Sequence, residues 1–120
     1  MPPPVRDSQL LKGVLPMLVL AALTEQESYG YQLVNRLHDA GLTDLTTGTV
    51  YPVLNRLERD GQIRSRLVPS TSGPARKYYR PTDDGADELT AASAAWDALD
   101  RTVRTVLSAA RTPHDPEETR

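Results

Sequence analysis

With 120 residues, a formal net charge of −2 and no cysteine, the chain fits one domain and excludes a disulfide framework or a cysteine-ligated zinc site. No run of about 18 apolar residues marks a membrane span. The N-terminal Met1-Pro2-Pro3-Pro4-Val5-Arg6 lacks the apolar centre of a signal peptide, so the expected location is cytoplasmic.

The overall charge by itself argues against a nucleic-acid partner, but its distribution reverses that reading. Residues 35–80 hold eight cations (Arg36, Arg56, Arg59, Arg64, Arg66, Arg76, Lys77, Arg80) against four acids, and residues 81–120 hold nine acids against four cations. A phosphate backbone senses the local field, here a basic middle beside an acidic tail.

In chain order, residues 1–7 read as a flexible N-terminus. Ser8 opens a helix whose apolar residues, Leu10, Leu11, Val14, Leu15, Leu18, Val19, Ala22 and Leu23, recur at helical spacing. Pro16 lacks an N–H and clashes with the Lys12 carbonyl, which predicts a kink, or a restart near Val14. Ser28 is expected to cap a second helix from Tyr29 to Asp39 with Tyr31, Leu33, Val34 and Leu37 inside, and Gly41 to stop it. Leu42 and Leu45 would plug the joint to the next helix.

That third helix organises the chain. Thr46 or Thr47 can cap it and Gly61 can end it in a left-handed conformation. Val50, Leu54 and Leu57, with Val53 beside them, form one apolar stripe. The other side carries Thr49, Tyr51, Pro52, Asn55, Arg56 and Arg59, mostly hydrogen-bond donors and cations. A helix, a short turn with Gly and a second helix make the unit that places its second helix in a DNA major groove. The hydroxyls of Thr47, Thr49 and Tyr51 near the helix start suit phosphate oxygens. Asn55 can pair with adenine, and Arg56 or Arg59 with guanine. Thr47, Thr49, Tyr51, Pro52, Asn55, Arg56 and Arg59 are thus candidate DNA contacts. The alternative is a capped, packed and solvated helix face.

Beyond Gly61 the period becomes two. Ile63, Ser65 and Leu67 alternate with Arg64, Arg66 and Val68, residues 69–75 form a turn cluster, and Arg76-Lys77-Tyr78-Tyr79-Arg80 returns. Arg76 and Lys77, near the tip of this wing, are candidate phosphate or minor-groove anchors. One of Tyr78 and Tyr79 should face the core and the other outward. Thr82, followed by two acids, starts a helix that runs to about Arg111 and is about 43 Å long. Leu89, Ala92, Trp96, Leu99, Val103, Val106 and Ala110 follow an a/d pattern along it, which predicts a seam against a second copy. Trp96, with Leu89 and Ala92, either packs that seam or lines a ligand pocket within it. Residues 112–120 read as a disordered tail.

The expectation is a mostly α-helical fold with a small β-hairpin. Residues 8–81 form a winged helix-turn-helix and residues 82–111 a long C-terminal dimerisation helix. No nucleophile–base pair, phosphate loop or spaced metal-ligand set stands out, so neither enzyme activity, nor a cofactor, nor a metal is expected.

Leu18-Val19-Leu20-Ala21-Ala22-Leu23, Tyr29-Gly30-Tyr31-Gln32-Leu33, the block from Gly48-Thr49-Val50-Tyr51-Pro52 to Glu58-Arg59-Asp60-Gly61, and Arg76-Lys77-Tyr78-Tyr79-Arg80-Pro81-Thr82 together resemble the PadR family of bacterial transcriptional regulators. The length is similar to the smaller subfamily with one C-terminal dimerisation helix; Pro16 departs from the usual pattern. The resemblance implies a homodimeric repressor that binds double-stranded DNA at a palindromic operator and releases it on an inducing signal. In members linked to multidrug response, aromatic side chains on the C-terminal helices line a pore for flat apolar ligands. Trp96 stands where such an aromatic would, which implies a planar apolar inducer. Two other classes remain: a winged-helix protein-interaction module, and a small-molecule sensor without DNA binding.

Overall fold

The computed structural model describes residues 8–111. The expectations for residues 1–7 and 112–120, and for a cap from the Ser8 side chain, lie outside the described residues. The elements are α1 (Ser8–Glu25), β1 (Ser28–Tyr29), α2 (Gly30–Asp39), α3 (Thr47–Arg59), β2 (Ile63–Ser70), β3 (Gly73–Pro81) and α4 (Asp83–Arg111). The strands form one antiparallel sheet in the order β1-β3-β2. This is a mostly helical winged-helix fold, as the periodicities predict, with a third strand added to the hairpin. Two compact units divide the chain, Met1–Thr90 and Ala91–Arg120.

The first unit is built around one core. Leu15, Val19, Leu20 and Leu23 of α1 meet Leu33, Val34 and Leu37 of α2, Val50, Leu54 and Leu57 of α3, and Ile63 and Tyr79 of the sheet. Leu42 and Leu45 are buried in the joint between α2 and α3 as expected. Both helices stop in the same way. Gly41 (φ 123°) and Gly61 (φ 76°) take left-handed conformations that a side chain would strain. The Leu42 N–H then bonds the Leu37 carbonyl, and the Gln62 N–H bonds the Leu57 carbonyl. These bonds satisfy carbonyls that the helix leaves open.

Thr82 caps α4: its hydroxyl accepts from the Gly85 N–H at 3.1 Å and donates to the Gly61 carbonyl at 2.6 Å. The Thr82 N–H bonds the Gln62 carbonyl at 3.0 Å. A Cβ on Gly85 would overlap that same carbonyl, so only glycine lets α4 start this close to the end of α3.

Four local expectations are corrected. First, the helix does not restart near Val14: α1 continues from Ser8 through Pro16 to Glu25, with Leu15 and Val19 on either side buried. The missing bond to the Lys12 carbonyl costs about 3 kcal/mol, but ending the helix there would expose one of those flanking side chains. Second, Ser28 does not cap α2. It lies in β1, its hydroxyl donates to the Gln26 carbonyl at 3.1 Å, and it accepts from Arg36 at 2.8 Å. Arg36 also donates to the Ala22 and Gln26 carbonyls, closing the open end of α1. Third, Tyr31 is on the outside of α2, 59% exposed. Fourth, the wing turn is only Thr71 and Ser72; Pro69, Ser70, Gly73, Pro74 and Ala75 belong to the strands.

Candidate nucleic-acid interface

The outward side of α3 is open. Thr47, Thr49, Tyr51, Pro52, Asn55, Arg56 and Arg59 are all exposed. Thr46 is the N-cap by backbone conformation (φ −120°, ψ 162°), yet no side chain caps the helix. Its hydroxyl pairs with that of Thr49 at 3.2 Å instead. Pro52, inside the helix, offers no N–H to the Gly48 carbonyl. Arg59 reaches Asp60 at 3.6 Å, an exposed pair. Asn55 and Arg56 make no side-chain bond or ion pair among the described residues.

Tyr51 differs from its neighbours. Its ring lies on Gly30 at the start of α2, where a Cβ would overlap the ring and its hydroxyl. Glycine there is what lets the two helices approach. Beside this contact is an open cleft of about 330 Å³ lined by Tyr29, Gly30, Tyr51, Ala75, Arg76, Lys77 and Tyr79. The Arg76 guanidinium stacks on the Tyr29 ring at 4.6 Å. Tyr29 in turn meets Tyr78 edge-on, with centroids 5.3 Å apart. Tyr79 is the inward member of the tyrosine pair and Tyr78 the outward one, and burial pushes the Tyr79 hydroxyl pKa up.

Lys77 is engaged within the chain. Its ammonium lies 3.1 Å from a Glu58 oxygen and 5.5 Å from the Tyr79 ring centroid. The other Glu58 oxygen accepts from the Ser65 hydroxyl at 2.5 Å. The Ser65 hydrogen bond, and then Lys77, hold the Glu58 carboxyl below its ordinary value, while Glu58 holds the Lys77 ammonium above its own. One carboxylate at the end of α3 thereby fastens that helix to both strands of the wing. Sequence reasoning missed this role of Glu58, and it missed Tyr29 and Gly30 in the cleft. The Tyr-Gly-Tyr spelling was the available signal for the latter.

The family model described as "Transcriptional regulator PadR-like family" matches residues 19–91, from α1 through α2, α3 and the wing to the first turns of α4. The chain belongs to the PadR-like family. It is similar to a transcriptional regulator of Mycobacterium tuberculosis, 37% identical over 94 residues, which are 77% of this chain and 84% of that one. Among solved structures, a PadR family transcriptional regulator from Eggerthella lenta is 40% identical with a TM-score of 0.76, covering 82% of this chain and 86% of the other. A PadR-like transcriptional regulator from Bacillus cereus is 38% identical with a TM-score of 0.75, covering 83% and 97%. PadR-like proteins are transcriptional regulators and not enzymes. Among the described residues no helix is long and apolar enough to cross a membrane.

Most of the expected seam on α4 lies beyond the PadR-like match. Leu89 packs partly on the core of the first unit. Farther along, Ala92 is half-buried and Ala110 exposed, while Trp96 is 44% and Leu99 56% exposed. Val103, Val106 and Leu107 continue an apolar stripe open to solvent. Leu107 falls outside the a/d positions and was not anticipated. Arg104 pairs with Asp100 at 3.1 Å beside the stripe.

Proposed function

We propose that this PadR-like regulator is a cytoplasmic, sequence-specific DNA-binding repressor that reads operator bases through Asn55, Arg56 and Arg59. Thr47, Thr49, Tyr51 and Arg76 hold the phosphate backbone beside them, and Pro52 lies against it. The observation that carries the reading is the unpaired donor set of Asn55 and Arg56 on the outward side of α3, next to a cleft rimmed by tyrosines and Arg76. Such donors match base edges in the major groove, and the cation matches phosphate. Lys77 is the weakest of the expected contacts, because Glu58 already neutralises its charge.

The protein acts as a homodimer through Leu89, Ala92, Trp96, Leu99, Val103, Val106 and Ala110 of α4. An open Leu/Val/Trp stripe on a 29-residue helix is an apolar surface that a second copy would cover. Two-fold symmetry then calls for a palindromic operator with half-sites about one helical turn apart. Trp96, with Ala92 and Leu89 one and two helical turns away and small Ala side chains around them, suits a planar apolar inducer at the dimer axis. The test is a mobility shift on the DNA upstream of the protein's own coding region, with salt varied. A specific complex whose log affinity falls linearly with log salt supports the reading. No preference for that DNA over an unrelated fragment would reject it.

A further inference from the structure

The sheet has a second face. The register sets Arg64 opposite Arg80, Arg66 opposite Tyr78 and Val68 opposite Arg76, with Tyr29 opposite Tyr78 on the third strand. Paired residues share a side. The inner side carries Ile63, Ser65 and Tyr79, and Ile63 and Tyr79 are in the same core as Val50, Leu54 and Leu57 of α3. Arg64, Arg66, Arg76 and Arg80 therefore lie on the outer side, and all four are exposed. One carboxylate enters among them: Glu27 takes the Arg66 guanidinium in a two-oxygen pair. That leaves Arg64, Arg76 and Arg80 as the excess charge of the face. Arg64, Arg66 and Arg80 surround a small hollow of about 40 Å³ with Tyr78 and Glu27.

This face is continuous with the surface of α3. Tyr29 and Arg76 line the same cleft as Tyr51, so a basic strip runs from Tyr51 through Tyr29 and Arg76 to Tyr78, Arg80 and Arg64. On the sheet itself its two rings offer little apolar anchor, because Arg76 sits over Tyr29 and Arg66 lies 6.0 Å from the Tyr78 centroid; the third ring, Tyr51, belongs to α3 and rests on Gly30. Protein partners need such an anchor at the centre of a contact, whereas a phosphate backbone needs spaced cations.

We infer that the outer face of the sheet carries the phosphate backbone of DNA flanking the site read by α3, with Arg64 and Arg80 as its anchors. The inference rests on the DNA-binding reading of α3. A duplex seated on α3 reaches the outer face by passing the sheet edge beside the short β1, so the flanking DNA bends toward the sheet.

The experiment compares two duplexes from the upstream DNA by fluorescence anisotropy over a salt series. One is the shortest that still binds specifically; the other extends it by about one helical turn on each side. The full-length protein should bind the longer duplex more tightly and with a steeper salt slope. Arg64→Ala/Arg80→Ala should lose that gain, with the slope on the long duplex falling by about 0.9 for each phosphate contact removed. The same variant should bind the short duplex like the unaltered protein. Arg64→Lys/Arg80→Lys keeps the charges and should keep most of the gain. Equal weakening on both duplexes, or an undiminished gain in the Ala variant, overturns the inference while leaving α3 as the reader. Failure of the unaltered protein to bind either duplex removes both readings.

Discussion

Replacing Glu58 by Gln removes the charge that fastens α3 to the wing while keeping the side chain's shape. In the folded chain this carboxylate accepts from Ser65 at 2.5 Å and pairs with Lys77 at 3.1 Å, where Glu58 is 32% and Lys77 47% exposed. Pairs this open are worth about 0.2–1 kcal/mol. Converting a charge-assisted hydrogen bond to a neutral one costs about 0.5 kcal/mol more at a partly exposed site. The loss near neutral pH should be about 1 kcal/mol, or roughly 3–6 °C in Tm for a chain of this length. The pH dependence isolates the charge. Because the folded carboxyl is held below its ordinary value of 4.5, its contribution is whole above that value and is lost as pH falls through the folded one. Thermal melts of the two proteins at equal concentration should therefore differ by a constant gap from about pH 8 to pH 5, which closes below 4.5 as the native residue also becomes neutral. Lys77→Met should reproduce the ion-pair part, and the double variant should cost less than the two single changes added. A gap that persists unchanged to about pH 3, where both side chains are neutral, would show that the loss does not come from the carboxylate's charge.

Three further outcomes are expected. Leu99→Asp, which puts a charge at the centre of the exposed α4 stripe, should give monomers in sedimentation; an unchanged dimer would move the interface elsewhere. Arg56→Ala should cost about 1–3 kcal/mol and relax preference at one base position, whereas Arg76→Ala should weaken all duplexes alike and lower the salt slope; identical behaviour would erase the distinction between reader and anchor. Fluorescence of Trp96, the chain's one tryptophan, should be quenched saturably by a planar aromatic compound that also releases DNA, and Trp96→Ala should abolish that release; no saturable response across a varied panel would leave Trp96 as packing alone.

The elements that the sequence made legible are those whose signals are local. The apolar stripe of α3, the glycine stops at Gly41 and Gly61, and the Thr82 cap each depend on residues within a few positions of one another, and the structure has all of them. Missed features depend on partners distant in the chain. Ser28 reads as a cap until β1 pairs with Tyr79, 51 residues away by number. Tyr31 reads as an inner residue by spacing alone, but at this end of α2 it is Gly30 that meets the Tyr51 ring, and Tyr31 is exposed. Lys77 reads as a free cation because its acid, Glu58, is 19 positions earlier. Of the candidate interface, the α3 face was visible in one segment, while the cleft and the outer sheet face needed three segments brought together.

The shortness of β1 has a consequence for the protein in a crowded solution. Among the described residues it covers β3 only at Tyr78 and Tyr79, and the strand from Gly73 to Lys77 has no neighbouring strand on that side. Bare strand edges invite another chain to add itself and begin an aggregate. Here Pro74 has no N–H to offer, and Arg76 puts positive charge along the strip, since Lys77 is already paired with Glu58. Cations and a proline are the means by which natural sheets keep their edges single. The wing can thus remain uncovered until a polyanion approaches, and a second wing is repelled by the same residues.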